Sequence, residues 1–119
     1  MQDSKQSEPT EDFGIVAKRL RLAREAAGLS QRELGVRAGM DASVASPRIN
    51  QYERGKHVPN TAVLGQVGKQ LNVPVAYFYA SDDDLASLIV RYHRADKGRR
   101  VKLNESAREI FFDQPIREK

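Results

Sequence analysis

The chain has 119 residues, with 20 Lys and Arg against 16 Asp and Glu for a net charge of +4, and 39% of it is apolar. That length supports one small core and excludes a multidomain enzyme. With no cysteine there is no disulfide framework, thiolate metal site or thiol nucleophile, and the two histidines, His57 and His93, are far apart in the chain.

No stretch approaches the roughly 18 consecutive apolar residues of a membrane span. The amino terminus, MQDSKQSEPTED, is polar and acidic where a signal peptide is basic and then apolar. A cytoplasmic protein with no membrane partner is expected. The charge is unevenly spread. Residues 1–12 carry a net −3, residues 13–60 carry nine bases and four acids for +5, residues 61–96 carry −1 and residues 97–119 carry +3. A local basic excess is the electrostatic footprint of a phosphate-contacting surface, although a solvated basic face has the same composition.

In chain order, residues 1–12 have no apolar residue after Met1 and are expected to form a disordered tail. Phe13, Val16, Leu20, Ala23 and Ala27 recur at three and four residues with bases between them, so they predict an amphipathic first helix closed by Gly28. Ser30 and Glu33 match the S-x-x-E capping box and open a second helix that ends at Gly39. The segment MDASVAS, residues 40–46, lacks periodicity and is expected to be a connection. Ser46 then serves as N-cap and Pro47 as first helical residue of a third helix, in which only Ile49 and Tyr52 look buried.

Asn60 begins a fourth helix carrying Val63, Leu64, Val67 and Leu71, and Val75 to Tyr79 form a short fifth. Asp82, Asp83 and Asp84 give an acidic start to a sixth helix bearing Leu85, Leu88, Ile89 and Tyr92. Beyond it, KGRRVK is a basic arm, Val101 to Leu103 has some strand character, and Asn104 caps a last short helix with Ala107, Ile110 and Phe111. The expected fold is all-α.

The third helix offers Ser46, Arg48, Asn50 and Gln51, side chains able to bond base edges or phosphates, with no acid among them. Arg can fork onto guanine, and Asn or Gln onto adenine. An ordinary polar helix surface has the same composition.

The surroundings resolve that ambiguity. The stretch AKRLRLAREAAGLSQRELGVRAG, then INQYERGKHVPN and LNVPVAYFY, resembles the lambda-repressor-like, or Cro/XRE-type, helix-turn-helix proteins over about residues 13–80. The ordered motifs are GLSQ-x-x-L, then Y-E-x-G-K, then Pro-Asn ahead of another helix. The resemblance implies a five-helix DNA-binding domain, residues 13–80, that reads operator DNA with its third helix. Residues 81–119 would be a C-terminal helical extension and a candidate dimerisation region.

Position by position, the resemblance makes Gln31 a phosphate contact. Ser46, Arg48, Asn50 and Gln51 become the recognition surface, with Gln51 the leading base contact, and Arg54, Lys56 and Asn60 grip the sugar-phosphate backbone. Pro47 departs from the family, since many relatives carry a polar reader there. The resemblance also pairs Arg24 with Glu53 in a partly buried ion pair. The interval from Gly39 to Gly55 is about four residues longer than is usual in the family. The excess, Asp41 to Ala45, is expected to bulge from an otherwise ordinary motif, or else to lie on the phosphate backbone and supply Ser43.

The expected partner is therefore double-stranded DNA with a pseudo-palindromic operator, bound by a homodimer that regulates transcription, most simply as a repressor. The alternative is an antitoxin-like protein whose DNA-binding domain serves autoregulation while residues 81–119 hold a protein partner. No catalytic residue, metal site or cofactor is expected: Asp82 to Asp84 read as helix capping, and neither histidine has a nucleophile beside it.

Overall fold

The computed structural model describes residues 13–111. The tail expected at 1–12 and the segment 112–119 lie outside those residues. Seven helices follow in order: α1 (Ile15–Ala26), α2 (Gln31–Arg37), α3 (Ala42–Glu53), α4 (Thr61–Leu71), α5 (Val75–Tyr79), α6 (Asp83–Arg94) and α7 (Lys97–Phe111). No strand occurs among the described residues, so the all-α expectation holds.

Local chemistry sets most boundaries. Ser30 accepts from the Glu33 backbone N–H at 2.9 Å while the Glu33 carboxylate accepts from the Ser30 N–H at 2.8 Å, the reciprocal capping box read from sequence. Those hydrogen bonds stabilise the ionised form of Glu33 and lower its pKa. Asn60 caps α4 through the Val63 N–H, and Asp82 caps α6 through the N–H groups of Asp84 and Leu85.

Leu20, Leu34, Ile49, Leu64, Val67 and Phe78 are the largest fully buried side chains, one or two from each of the first five helices. α1 lies against α3 and α5, α4 against α2 and α5, and α5 carries α6. Arg19, whose neighbours in sequence suggest a solvated base, is instead buried. Its guanidinium donates to the carbonyls of Ala80 (2.8 Å) and Ser81 (3.2 Å), meets Asp83 at 2.9 Å, and lies over the Tyr77 ring. A buried cation is tolerable only with such partners, and here they fasten α1 to the α5–α6 corner. The Arg19 hydrogen bond in turn holds the Asp83 carboxyl below its ordinary pKa.

Two expectations fail. Residues 42–45 are neither a bulge nor a loop laid on phosphate: they form the first turn of α3. Asp41 is the N-cap, accepting from the Ser43 N–H at 2.9 Å and from the Ser43 hydroxyl at 2.6 Å, and Ser46 is an interior residue of the helix. The surplus over the family spacing is thus one extra helical turn. Pro47, expected at the first position, sits inside the helix. It has no N–H for the Ser43 carbonyl, a loss confined to an exposed position near the helix start where solvent can replace the bond.

The second failure is at the C terminus, where the stretch from Lys97 to Phe111 is one continuous helix. Asp96 accepts from the Arg99 N–H and opens it, so Val101 to Leu103 is helical and Asn104 is interior rather than a cap.

Candidate nucleic-acid interface

The second and third helices pack more extensively than any other described pair. Their closest approach is at Gly35, where an added Cβ would lie 2.6 Å from the Ala45 Cβ. Both residues are buried. This contact fixes the angle at which α3 leaves the domain, and it uses the extra turn, since Ala45 belongs to the segment expected to loop out.

The buried face of α3 is Ala45, Ile49 and Glu53, with Tyr52 half-buried beside them. At 3.6 residues per turn the opposite face is the row Ser43, Pro47, Asn50 and Arg54, all exposed. The extra turn therefore lengthens the outward row by Ser43 and Pro47. Glu53, the one acid within α3, is turned inward: its side chain is 2% exposed and receives both arms of the Arg24 guanidinium, at 2.6 and 3.0 Å. The bidentate pair anticipated from sequence is present, and the Glu53 hydrogen bonds raise the Arg24 pKa above its ordinary value. Arg24 also donates to the Leu29 carbonyl ahead of α2, so one guanidinium ties together α1, the α1–α2 turn and the end of α3.

Gln31, at the start of α2, extends this network. Its amide nitrogen donates to Glu53 at 3.1 Å and to the Asn50 side-chain oxygen at 3.2 Å. With that oxygen turned to Gln31, the Asn50 amide nitrogen is on the other side of its carbonyl carbon, which fixes the amide on the outward row.

Arg48 and Gln51 occupy the shoulder of α3 that faces α4. With Tyr52, His57, Val58, Asn60 and Val63 they line a shallow groove of about 360 Å³. Ser46 lies on the other shoulder, half-buried, outside the outward row. Beyond the helix, the backbone N–H groups of Lys56 and His57 return to the Gln51 carbonyl and bring the exposed Lys56 close under the end of α3.

Gly55 makes that return feasible. Its φ of 69° is in the left-handed region, and a Cβ there would lie 2.6 Å from the Phe13 carbonyl. The Phe13 ring sits under Arg54, 5.4 Å from its guanidinium carbon, and steadies that cation at the end of the outward row. Asn60 is the α4 cap, with its side-chain oxygen committed to Val63.

The eight residues singled out from sequence thus fall into groups. Asn50 and Arg54 are on the outward row, Arg48 and Gln51 on its α4 shoulder, and Gln31 behind Asn50. Lys56 and Asn60 are on the adjoining loop, and Ser46 stands apart. Sequence reading placed Ser43 in a connection, yet it stands first in the row. The apolar spacing Ala45, Ile49, Tyr52 with an Asp two residues before Ser43 was the signal that would have found it. The Asp41 carboxyl, held below its ordinary pKa by the Ser43 hydroxyl and N–H, stays ionised at the helix start.

Among the described residues no cluster of metal-ligating side chains occurs, and no helix is long and apolar enough to cross a membrane.

A model of a helix-turn-helix domain matches residues 15–78. Two curated relatives, uncharacterized HTH-type transcriptional regulators of Sinorhizobium medicae (strain WSM419) and Rhizobium meliloti (strain 1021), are each 34% identical over 64 residues. That alignment covers 54% of this chain and 43% of each relative, so the chain spans less than half their length. The crystal structure of the transcriptional regulator BswR is 38% identical, with a TM-score of 0.76 over 83% of this chain and 98% of that one. The structural likeness therefore covers more of the chain than the helix-turn-helix match.

Proposed function

The chain belongs to the helix-turn-helix domain family, and from that premise we propose that it binds specific double-stranded DNA through α3 and regulates transcription. The observation that carries this reading is the outer surface of α3. After its cap it exposes hydroxyl, amide and guanidinium groups, and its one acid is inward and neutralised by Arg24. Such a helix meets a polyanion without self-repulsion and offers donors in pairs to base edges.

In this reading α3 enters the major groove. Asn50 and Gln51 are the base readers, with Arg48 on the same shoulder and Ser43 added at the leading end. Arg54, Lys56 and Asn60 hold the sugar-phosphate backbone. Gln31 acts by orienting Asn50 as well as by reaching phosphate. Ser46, half-buried on the far shoulder, has the smallest share. Pro47 presents a flat apolar surface in the middle of the row, suited to a thymine methyl. Residues 13–80 form the DNA-binding unit and residues 81–119 the extension that brings two copies onto a pseudo-palindromic site. Repression by occlusion of polymerase in the cytoplasm is the simplest outcome.

The test is selection of sites from random duplexes, followed by titration of single variants. Gln51→Ala is expected to lose discrimination at one base position by about 1–3 kcal/mol, while Lys56→Ala weakens all duplexes alike and lowers the salt slope by about one. Equal losses on every duplex for both variants would defeat this division of roles.

A further inference from the structure

α6 and α7 turn an open apolar face away from the core. Ala86 is the buried residue of α6, yet Leu85, Leu88 and Tyr92 on the next face of that helix are 49%, 52% and 37% exposed. No residue of α7 is buried, and Leu103, Ile110 and Phe111 are 37%, 67% and 61% exposed. Between the two helices lies a groove of about 770 Å³ walled by these six side chains, with Ala107 midway. Arg100 holds the corner by donating to the carbonyls of Tyr92 and His93, so the groove is a formed feature of the fold. A helix of 15 residues gains little stability by itself and needs a packing partner.

The charge along α7 indicates which partner. Its first six residues carry Lys97, Arg99, Arg100 and Lys102 and no acid, whereas its remainder carries Glu105 and Glu109 against Arg108. Two such helices side by side and parallel would stack four cations on four. Antiparallel, each cationic half lies beside the half that holds both acids. The rows on α6 and α7 also repeat at three and four residues, the spacing of interlocking helices. A two-fold docking therefore buries the same surface on both copies at once.

We propose that a second copy of this chain fills the groove, with α7 of one protomer antiparallel to α7 of its partner. The four helices α6 and α7 of the two protomers then close one shared apolar core. This deepens the two-copy reading above and rests on it. The interface predicts association without DNA, so its failure is distinguishable from failure of DNA recognition.

The mass of the full chain in solution, by light scattering or sedimentation at micromolar concentration without DNA, is expected to be that of a dimer. Leu103→Glu with Ile110→Glu is expected to give a monomer whose far-ultraviolet circular dichroism is retained, because both positions are exposed. That variant keeps binding to an isolated half-site, so loss of half-site binding with a native fold would count against the DNA reading alone.

The natural absence of cysteine allows orientation to be read with spin labels. A label at Lys97→Cys in one protomer is expected to lie close to a label at Glu109→Cys in its partner. Two labels at Lys97→Cys would be separated by about the helix length between those sites, roughly 18 Å. A monomeric wild-type chain, a double variant that still dimerises, or the reverse pattern of label distances would overturn the proposal. A monomer that binds an apolar fluorescent probe in this groove would assign the site to a different occupant.

Discussion

The α2–α3 pair and the α6–α7 pair are both built from consecutive helices joined by short turns, and they solve opposite problems. In the first, backbones approach so closely that Gly35 has no room for a methyl group, and every apolar side chain between them is covered by the same chain. The exterior left over is polar. In the second, the corner is fixed by Arg100 but the facing apolar side chains stand apart and open to solvent. The lesson is that a helix pair finished within one chain can spend its exterior on recognition, whereas an unfinished pair has recognition of another surface as its way to bury itself.

Truncation tests this contrast most directly. Ile49→Ala removes a fully buried side chain between α2 and α3 and is expected to cost about 2–5 kcal/mol by denaturant unfolding. Ile110→Ala, at a position 67% exposed in one protomer, should change the stability of the dilute chain by less than about 0.5 kcal/mol. A cost at Ile110 equal to that at Ile49 under dilute conditions would mean that α7 is packed within its own chain. The next effect belongs to the Arg24–Glu53 pair. Glu53→Ala leaves the Arg24 guanidinium, 13% exposed, without its carboxylate, and a loss of about 1–3 kcal/mol is expected. An unaltered thermal melt would contradict it.

The smallest effect is at the helix start. Asp41→Ala removes the cap of α3 and should lower Tm slightly at neutral pH. Because folding lowers the Asp41 pKa, its stabilisation is full above the ordinary carboxylate value near 4 and is lost as pH falls through the lower folded value. The Tm gap between wild type and variant should therefore close in acid below about pH 4. A gap of constant size down to strongly acidic solution would place the origin of the effect elsewhere.

Much of the fold was legible because its signals are local. The Ser30–Glu33 box, Asn60 before α4 and the acidic start of α6 each satisfy backbone groups within three residues, and sequence spacing suffices to find them. The Arg24–Glu53 pair was legible only through family resemblance, since its partners are 29 residues apart. Pro47 misled the placement of α3. A proline after a serine carries the signature of a helix start, and the competing evidence, Ala45 packed on Gly35, is a contact between two helices that no local window contains. Arg19 was misjudged for the same reason, because its carbonyl partners lie some 60 residues away.

The order of residues by itself settled the number and periodicity of the first six helices, the caps of α2, α4 and α6, and the cationic excess of the middle segment, all of which arise from interactions within a few residues. Tertiary packing decided where α3 begins, which side of it faces outward, that Glu53 is hidden while Asn50 is held in place by Gln31, and that α7 is one helix with an uncovered flank. Those outcomes depend on which distant surfaces meet, and burial against a distant surface outweighs the small free-energy preferences that a local stretch of residues can express.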